Sequence, residues 1–348
     1  MPEELKLPED FARRMVDWQR RQGRQHLPWQ HTRDPYRVWL SEIMLQQTQV
    51  STVLDYYPRF LQRFADVQSL AAAPQDDVLA LWSGLGYYSR ARNLHRCAQE
   101  VVARFGGEFP RTAALLQTLP GIGRSTASAI AAFCFDERAP ILDGNVKRVL
   151  SRVLGYGGDL ALAASERELW ALAGRLLPLH APDMPAYTQA LMDVGATVCQ
   201  PRKAQCGACP VQPVCLAHAQ QRTLDYPVRT RKLKRSSATL WLLWAVNAHG
   251  QVWLHKRPAR GIWAGLFSLP VFDDEASLLA ACSGRSATQY LQPWKHVLTH
   301  RDLHLHPVRV ALAGSDAPGC EGQWVNPQDW PQLGLPAPIR LLLDGQKG

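Results

Sequence analysis

The period of the hydrophobic pattern changes once along this chain, and that change constrains the fold more than any other feature. Up to about residue 220, apolar side chains recur every three or four positions, as in FARRMVDWQRR, SEIMLQQTQVSTVLDYYPRFLQRF and RELWALAGRLLPL, which predicts helices. After the basic run RTRKLKR, the segments ATLWLLWAV and QVWLHK flank the turn NAHG and predict a hairpin of buried strands. LTHRDLHLHPVRVALA adds alternation of period two, and a short helix is expected around Ala276–Cys282.

These patterns predict an all-α domain over residues 1–221, a basic linker over 222–236 and an α+β domain over 237–348. A hydrophobic content of 46% over 348 residues is sufficient for cores of that size. The net charge of +9 indicates a polyanionic partner such as nucleic acid. MPEELKLPEDF lacks an apolar run, and no stretch reaches the roughly 18 apolar residues of a membrane span, so we expect a soluble, cytoplasmic protein.

Four cysteines, Cys199, Cys206, Cys209 and Cys215, lie close together in the sequence. In a cytosolic protein such a group indicates a metal site rather than disulfides. Zinc sites pair two tight Cys-x2–4-Cys knuckles, whereas only one pair is that tight here. A [4Fe–4S] cluster also takes four thiolates, and its larger size tolerates wider loops. The spacing alone leaves zinc and an iron–sulfur cluster both open.

The stretch LPGIGRSTASAIAAF places Gly121 and Gly123 in a tight turn before a helix. Backbone N–H groups at a helix N-terminus attract phosphate, and glycine leaves the approach free of side-chain bulk. The pattern predicts a helix–hairpin–helix over about residues 111–133, which grips the DNA backbone without reading bases. A purely structural helix–turn–helix is the alternative.

The sequence predicts pKa shifts in opposite directions for two carboxyl groups. Glu42, in LSEIMLQQTQV, falls on a mostly apolar helix face, where burial would keep its proton and raise its pKa. A solvated glutamate is the ordinary alternative. Asp143, in ILDGNVKRV, stands at a predicted helix N-cap, where N–H groups and the helix dipole lower a carboxyl pKa. Cleavage of a glycosidic bond requires such an acid and anion, although the sequence does not show whether the two meet in space.

At this point the residues resemble a known family. LPW (27–29), SEIMLQQTQV, GLGYYSRARN (84–93), LPGIGRSTA, ILDGNVKRV and the four-cysteine loop together resemble the adenine DNA glycosylase (MutY) family of helix–hairpin–helix glycosylases. The resemblance covers roughly residues 10–220. It implies excision of adenine mispaired with 8-oxoguanine or guanine in double-stranded DNA, a [4Fe–4S] cluster on the four cysteines, and a monomer acting at a prokaryotic nucleoid.

The resemblance also implies roles for single residues. Glu42 would protonate the adenine, and Asp143, supported by Asn145, would stabilise the sugar cation. Ser125 stands where the strand-cutting relatives carry a Schiff-base lysine, so we expect a monofunctional glycosylase. Two alternatives are an endonuclease III-like lyase, against which Ser125 argues, and a non-catalytic iron–sulfur DNA-binding protein, which would not need Glu42.

Further positions match family contacts with DNA. The residues expected to contact the duplex are Gln47, Tyr87, Gly121, Gly123 and Arg124. The residues expected in the adenine pocket are Trp29 and Gln189. For Trp29 and Tyr87, ordinary core packing is the alternative.

The C-terminal part resembles the MutT-like (Nudix) domain that the family carries. Nudix hydrolysis needs a glutamate-rich helix that holds Mg²⁺, and the matching stretch offers only Asp273, Asp274 and Glu275, so nucleotide hydrolysis is not expected. The family reads 8-oxoguanine with a Phe-Ser-His loop. Here Thr299 and His300 match the last two positions, and leucine replaces the phenylalanine.

Overall fold

The computed structural model describes residues 7–230, 234–282, 288–312 and 317–345. The chain divides into two compact units. Unit 1 comprises residues 1–57, 66–68 and 96–232, and unit 2 comprises 58–65, 69–95 and 233–348. This division differs from the predicted boundaries, because two stretches of the helical region group with the C-terminal residues. Three residues of the predicted linker, 231–233, lie outside the described residues.

Helices fill the N-terminal two thirds of the described chain, as the hydrophobic period predicted. None of the helices in the described ranges has the length and apolar character that crossing a membrane requires. In chain order they are α1 (Phe11–Gln22), α2 (Pro35–Leu45), α3 (Val50–Arg63), α4 (Val67–Ala72), α5 (Gln75–Leu81), α6 (Ser89–Phe105), α7 (Ala113–Leu116), α8 (Arg124–Phe135), α9 (Gly144–Val153), α10 (Ala163–Arg175), α11 (Met184–Asp193) and α12 (Leu216–Ala219).

The helical period through SEIMLQQTQVSTVLDYYPRFLQRF is divided between two helices. Helix α2 ends at Leu45 and α3 begins at Val50. Between them Gln47 has a φ of 56°, in the left-handed region, where a right-handed helix cannot continue. The break places Glu42 in the last turn of α2.

The core of unit 1 forms where α1, α9, α10 and α11 bury their apolar faces together. Phe11 of α1 meets Tyr187 of α11 edge to face, with ring centroids 6.2 Å apart, and both side chains are fully buried. Leu150 of α9 and Leu169 of α10 belong to the same cluster. Each such side chain contributes roughly 1.5–3 kcal/mol through burial, so this packing fixes α9, which carries Asp143 at its start.

The C-terminal part of unit 2 is a mixed sheet flanked by two helices, which agrees with the predicted α+β class. The sheet order is β3-β2-β1-β7-β5, with β4 on β1, β6 on β7 and β8 on β2. The two central strands, β1 and β7, pair in parallel from Ser236↔Arg301 to Val246↔Ala311. The elements are β1 (Ser236–Val246), β2 (Val252–Lys256), β3 (Phe267–Ser268), β4 (Val271–Phe272), α13 (Glu275–Ala281), β5 (Thr288–Tyr290), β6 (Trp294–Val297), β7 (Arg301–Ala311), β8 (Gln323–Val325) and α14 (Ala337–Leu343).

Both faces of this sheet are covered, which explains the unbroken apolar run in β1. Leu242 packs in one cluster with Leu342 of α14, and Leu243 packs in another with Leu278 of α13. Successive side chains of a strand point to opposite faces. The hairpin predicted from NAHG is confirmed, since β1 and β2 pair antiparallel with Val246 opposite Val252.

Two aspartate–arginine pairs join the α1 region of unit 1 to α11 in contrasting environments. The Asp193 carboxylate is fully buried and accepts hydrogen bonds from the Arg24 main chain at 2.9 Å and from its Nε at 2.7 Å. The Asp183–Arg20 pair is similarly short, at 2.6 Å, but both side chains are partly exposed. Breaking a buried pair leaves an uncompensated charge, whereas water replaces a lost surface partner.

We therefore expect Asp193→Asn to lower the free energy of unfolding by about 3 kcal/mol. The matched control Asp183→Asn should cost less than about 1 kcal/mol. Urea denaturation followed by helical circular dichroism measures both values. Equal losses in the two variants would contradict the role assigned to burial.

Candidate active site

Unit 1 contains a large cavity of about 1350 Å³. It is lined by residues from distant parts of the sequence: Trp29 from a short 3-10 turn, Glu42 from α2, Ser125 from α8, Asp143 from the start of α9, and Gln189 from α11. Most of the residues that the sequence singled out as catalytic or adenine-pocket candidates therefore meet at one place.

Glu42 is held in a protonated state by its surroundings. The residue as a whole is half-buried, because one side of it borders the cavity. Burial of the carboxyl raises the pKa of Glu42 from 4.5 to about 8, and the nearby Asp143 carboxylate raises it further in the same direction. The direction agrees with the sequence prediction. The electrostatic coupling also answers what the sequence left open, since the two carboxyl groups lie close enough to influence each other.

Asp143 occupies the N-cap of α9, as predicted. A single oxygen, Oδ1, accepts hydrogen bonds from the main-chain N–H groups of Asn145 and Val146, both at 2.8 Å. The other carboxylate oxygen makes no hydrogen bond with any described residue. The cap therefore fixes the orientation of the carboxylate while one oxygen stays available on the cavity side.

The side chain of Asn145 turns away from Asp143 and joins a buried arginine. Its Oδ1 accepts a hydrogen bond of 2.9 Å from Arg148, which also donates to the carbonyl oxygens of Gly195 at 2.7 Å and Cys199 at 2.8 Å. A Cβ at Gly195 would stand 2.6 Å from that of Asn145, so only glycine fits there. Asn145 thus supports Asp143 through its main-chain N–H. The Asn145 side chain is held by Arg148, which also bonds the carbonyl oxygen of Cys199.

Two other candidates line the same cavity with defined partners. Ser125 Oγ accepts a hydrogen bond of 3.0 Å from the main-chain N–H of Leu142, next to Asp143 in sequence. Trp29 is buried, and its ring meets that of Tyr57 edge to face at 5.5 Å. Both contacts give the cavity wall a rigid backing.

Gln189 and Gln47 contribute amides to the cavity wall. The Gln189 side chain donates a hydrogen bond of 2.9 Å to the buried Asp193 carboxylate, which holds its amide in place. Gln47 is exposed at the break after α2. A non-glycine residue with positive φ is uncommon and is found more often at functional positions than elsewhere.

The glycine turn has the geometry predicted for a helix–hairpin–helix. Gly121 has a φ of 76°, and Gly123 is the N-cap of α8 and has no side-chain cap. Where a Cβ would be added to Gly123, nothing lies within 4 Å. Arg124, the first residue of α8, is exposed, and its guanidinium carbon stands 4.0 Å from the ring centroid of Trp170.

The four clustered cysteines surround one small, apolar cavity of about 20 Å³. Within the described ranges, no group of three or more His, Cys, Asp or Glu side chains has the arrangement of a metal-ion site. Buried Arg152 donates to Cys199 Sγ at 3.3 Å and to the carbonyl oxygens of Gln200 and Pro201 at 2.8 and 2.9 Å. Arg148 and Arg152, four residues apart on α9, are both buried and form no ion pair with a carboxylate among the described residues, although the Asp143 carboxylate lies near enough to favour the charged form of Arg148.

Buried cations require negative charge nearby, and metal-bound thiolates would supply it. The type of donor, four thiols, and the two cations beside them therefore fit a metal group, for which Cys199, Cys206, Cys209 and Cys215 would be the ligands, although these thiols do not have the arrangement of a bound site.

Three of the remaining candidates belong to unit 2. Tyr87, with a φ of 47°, is exposed, and its hydroxyl lies 2.6 Å from Thr299 Oγ1, within hydrogen-bond distance. Arg235 donates to the carbonyl oxygens of Leu298 and Thr299 at 2.8 and 3.1 Å, which fixes the loop backbone. His300 is exposed at the end of this loop.

Two of the three acidic residues of the Nudix-like stretch, Asp274 and Glu275, have structural partners. Asp274 caps α13 by accepting from the Ser277 N–H at 2.7 Å, and Glu275 accepts a hydrogen bond of 2.6 Å from Tyr290. Neither carboxylate stands free for Mg²⁺.

Sequence reasoning missed Arg148, Arg152 and Gly195, which link the cavity to the cysteine loop. The available signal was the pair of arginines four residues apart within the otherwise apolar stripe of NVKRVLSRVL. No local pattern identifies the carbonyl oxygens that receive their hydrogen bonds, because those lie about fifty residues further along the chain.

Comparison with known proteins agrees with this architecture. Residues 40–174 match the HhH-GPD superfamily of base excision DNA repair proteins, and residues 241–345 match the NUDIX domain. A solved thermostable thymine-DNA glycosylase is 28% identical with a TM-score of 0.54, covering 60% of this chain and 95% of its own. An endonuclease III–DNA complex, at 21% identity and a TM-score of 0.50, shares the fold.

One curated relative extends the likeness over nearly the whole chain, and another over 60% of it. The adenine DNA glycosylase of Buchnera aphidicola from Schizaphis graminum is 34% identical over 342 residues, which is 96% of this chain and 98% of the relative. The adenine DNA glycosylase of Rattus norvegicus is 47% identical over 218 residues, covering 60% of this chain and 42% of its own. The chain therefore belongs to the adenine DNA glycosylase family and is a DNA glycosylase of base excision repair.

Proposed function

We propose that this protein hydrolyses the N-glycosidic bond of adenine mispaired with 8-oxoguanine or guanine in double-stranded DNA. One observation carries the proposal. A carboxyl group whose pKa is raised to about 8 and a carboxylate fixed by a helix N-cap line the same cavity. That pairing is what acid-assisted departure of a base and stabilisation of a sugar cation require.

The substrate base must leave the duplex to reach this cavity. Glycosylases extrude their target nucleotide, and the extruded base is held by stacking and by polar edges. Trp29 provides an aromatic wall and Gln189 an amide at the cavity surface. A volume of about 1350 Å³ accommodates a nucleotide, because ligand pockets of roughly 300–1,000 Å³ hold molecules of that size.

The reaction then follows from the protonation states. Neutral Glu42 transfers its proton to a ring nitrogen of adenine, the C1′–N9 bond breaks, and its electron pair leaves with the base. The Asp143 carboxylate, fixed by the N–H groups of Asn145 and Val146, stabilises the positive charge on the sugar. Water attacks C1′, and the Glu42 carboxylate takes the released proton, which restores the acid.

Ser125 accounts for the expected lack of strand cleavage. A lyase needs an amine that forms an imine with C1′, and a hydroxyl cannot form one. The Ser125 hydroxyl is instead occupied by the Leu142 N–H. We infer a monofunctional glycosylase, working as a cytoplasmic monomer on nucleoid DNA.

The metal group is proposed to be a [4Fe–4S] cluster on Cys199, Cys206, Cys209 and Cys215. Four thiols around one apolar cavity, with Arg148 and Arg152 buried beside them, support an anionic thiolate-bound group. When bound, the cluster would cross-link its loop. The chain's own part is to connect that loop to α9 through the two arginines.

Unit 2 is proposed to read 8-oxoguanine with Tyr87, Thr299 and His300. The hydroxyl groups of Tyr87 and Thr299 lie 2.6 Å apart, and the loop carbonyls are held by Arg235. Because Asp274 and Glu275 are engaged in structural hydrogen bonds, the domain serves recognition rather than nucleotide hydrolysis.

Single-turnover assays on three duplexes test the proposed function. We expect adenine release from A:8-oxoguanine to be fastest and from A:C slowest, and the strand to stay intact until alkali is added. Release of free adenine is measured by chromatography, and nicking is measured on a denaturing gel. Efficient nicking without alkali, or release of a pyrimidine instead of adenine, would favour the lyase alternative.

Glu42→Gln should lower the single-turnover rate about 100-fold or more, because the amide cannot donate the proton. Asp143→Asn should lower the rate similarly, because it removes the anion.

The folded-state pKa of Glu42 lies above its ordinary value, so the wild-type rate should fall as the pH rises through about 8. Glu42→Gln and Asp143→Asn should both bind duplex DNA with affinity near that of wild type. A rate for Glu42→Gln equal to that of wild type would remove Glu42 from catalysis.

Iron and sulfide analysis of the purified protein tests the cluster. We expect about four iron atoms per chain and a brown colour from iron–thiolate absorption. Cys209→Ser should lower the iron content, whereas Cys97→Ser, at a buried thiol outside the loop, should leave it unchanged. A colourless protein that binds one zinc ion would contradict the proposal.

A further inference from the structure

We propose that Trp170 is a positioning residue for DNA binding, and that its indole holds the Arg124 guanidinium where it contacts a backbone phosphate. The inference rests on the proposed action on duplex DNA. Trp170 takes no part in the reaction described above and does not line the cavity. Its effect is therefore expected on DNA affinity and not on the chemical step.

The Arg124 side chain stands at the open end of the hairpin. Arg124 is the first residue of α8, directly after Gly123, which caps the helix without a side-chain hydrogen bond. The space around Gly123 is open on the side where a Cβ would lie. A phosphate approaching the N–H groups of this helix end would therefore come close to the Arg124 side chain.

The contact between Arg124 and Trp170 leaves the polar edge of the guanidinium free. The guanidinium carbon lies over the indole ring, 4.0 Å from its centroid, which is within the range of a cation–π contact. The ring face offers no conventional hydrogen-bond acceptor, so this contact does not satisfy the five N–H donors of the guanidinium. With the described residues, the Arg124 side chain forms no ion pair or hydrogen bond. Its charge and its donors are both available to phosphate oxygens.

Trp170 is itself buried in the core of unit 1. It lies on α10, is only 8% exposed, and belongs to the core cluster that includes Leu169 and Leu150. A rigid platform restricts the rotamers of Arg124 before DNA arrives, so less side-chain freedom is lost on binding. This is the physical reason that a core tryptophan affects an exposed contact.

Another arginine of unit 1 provides a matched control. The Arg104 guanidinium lies 5.1 Å from the ring of Phe105, but it is paired with Glu100 at 2.9 Å and also donates to Thr118. Its charge is already neutralised by a carboxylate. Removing the ring beneath Arg104 should therefore leave phosphate binding unchanged.

The test is the salt dependence of duplex binding by the full-length protein. The logarithm of the association constant decreases linearly with the logarithm of the salt concentration. The steepness of that decrease is reduced by about 0.9 for each phosphate contact that is lost. Arg124→Ala should show that loss, and Trp170→Leu should reproduce most of it, with binding roughly 3- to 10-fold weaker at low salt.

Three further variants distinguish positioning from packing. Trp170→Phe keeps an aromatic face and should restore the wild-type slope, while Phe105→Leu should not change it. The double variant Arg124→Ala/Trp170→Leu should bind no more weakly than Arg124→Ala alone. If Trp170→Leu is too unstable to assay, Trp170→Met replaces it.

Two outcomes would overturn the inference. One is an unchanged slope in Trp170→Leu together with a lowered melting temperature, which would assign Trp170 to core packing alone. The other is an additive loss of DNA affinity in the double variant, which would show that Arg124 and Trp170 act independently of each other. Failure of the proposed function would give a different result, which is the absence of adenine release from duplex DNA by the wild-type protein. That result is distinguishable from the two outcomes above.

Discussion

The hydrogen bonds of two buried arginines on α9 are the interactions on which the catalytic unit depends. Arg148 reaches Asn145, Gly195 and the Cys199 carbonyl, and Arg152 reaches the next two carbonyls and the Cys199 sulfur. A buried guanidinium left unpaired would cost several kcal/mol. The helix that begins at Asp143 is therefore held in one position relative to the cysteine loop. The requirement to satisfy two cations makes the loop and the cavity a single structural element.

The chemistry of the site follows from the unequal environments of two carboxyl groups. Glu42 stands in a helix whose neighbours are apolar, so loss of its proton is disfavoured. Asp143 stands at a helix start, where two N–H groups bond one of its oxygens. The Asp143 carboxylate also lies near Glu42 and further disfavours loss of the Glu42 proton. One cavity thus contains both a proton donor and a fixed negative charge.

In unit 2 two acidic residues of the Nudix-like domain have structural roles. A capping aspartate and a glutamate bound to a tyrosine stabilise the short helix α13 instead of presenting free ligands. Both faces of the sheet are covered by apolar clusters. The backbone of the loop 298–300 is fixed by hydrogen bonds from Arg235.

The sequence by itself determined the helical and strand-forming regions, the cap at Asp143, the glycine turn and the group of four cysteines. These are local properties, because apolar period, capping and turn conformation depend on residues a few positions apart. It did not reveal the break at Gln47, where left-handed backbone interrupts an apolar period that continues on both sides. Only the tertiary structure brought Glu42 to Asp143, Arg148 to the cysteine loop and Trp170 under Arg124. Each of those contacts joins residues tens of positions apart, and the packing of α9, α10 and α11 around one core decides which of them meet.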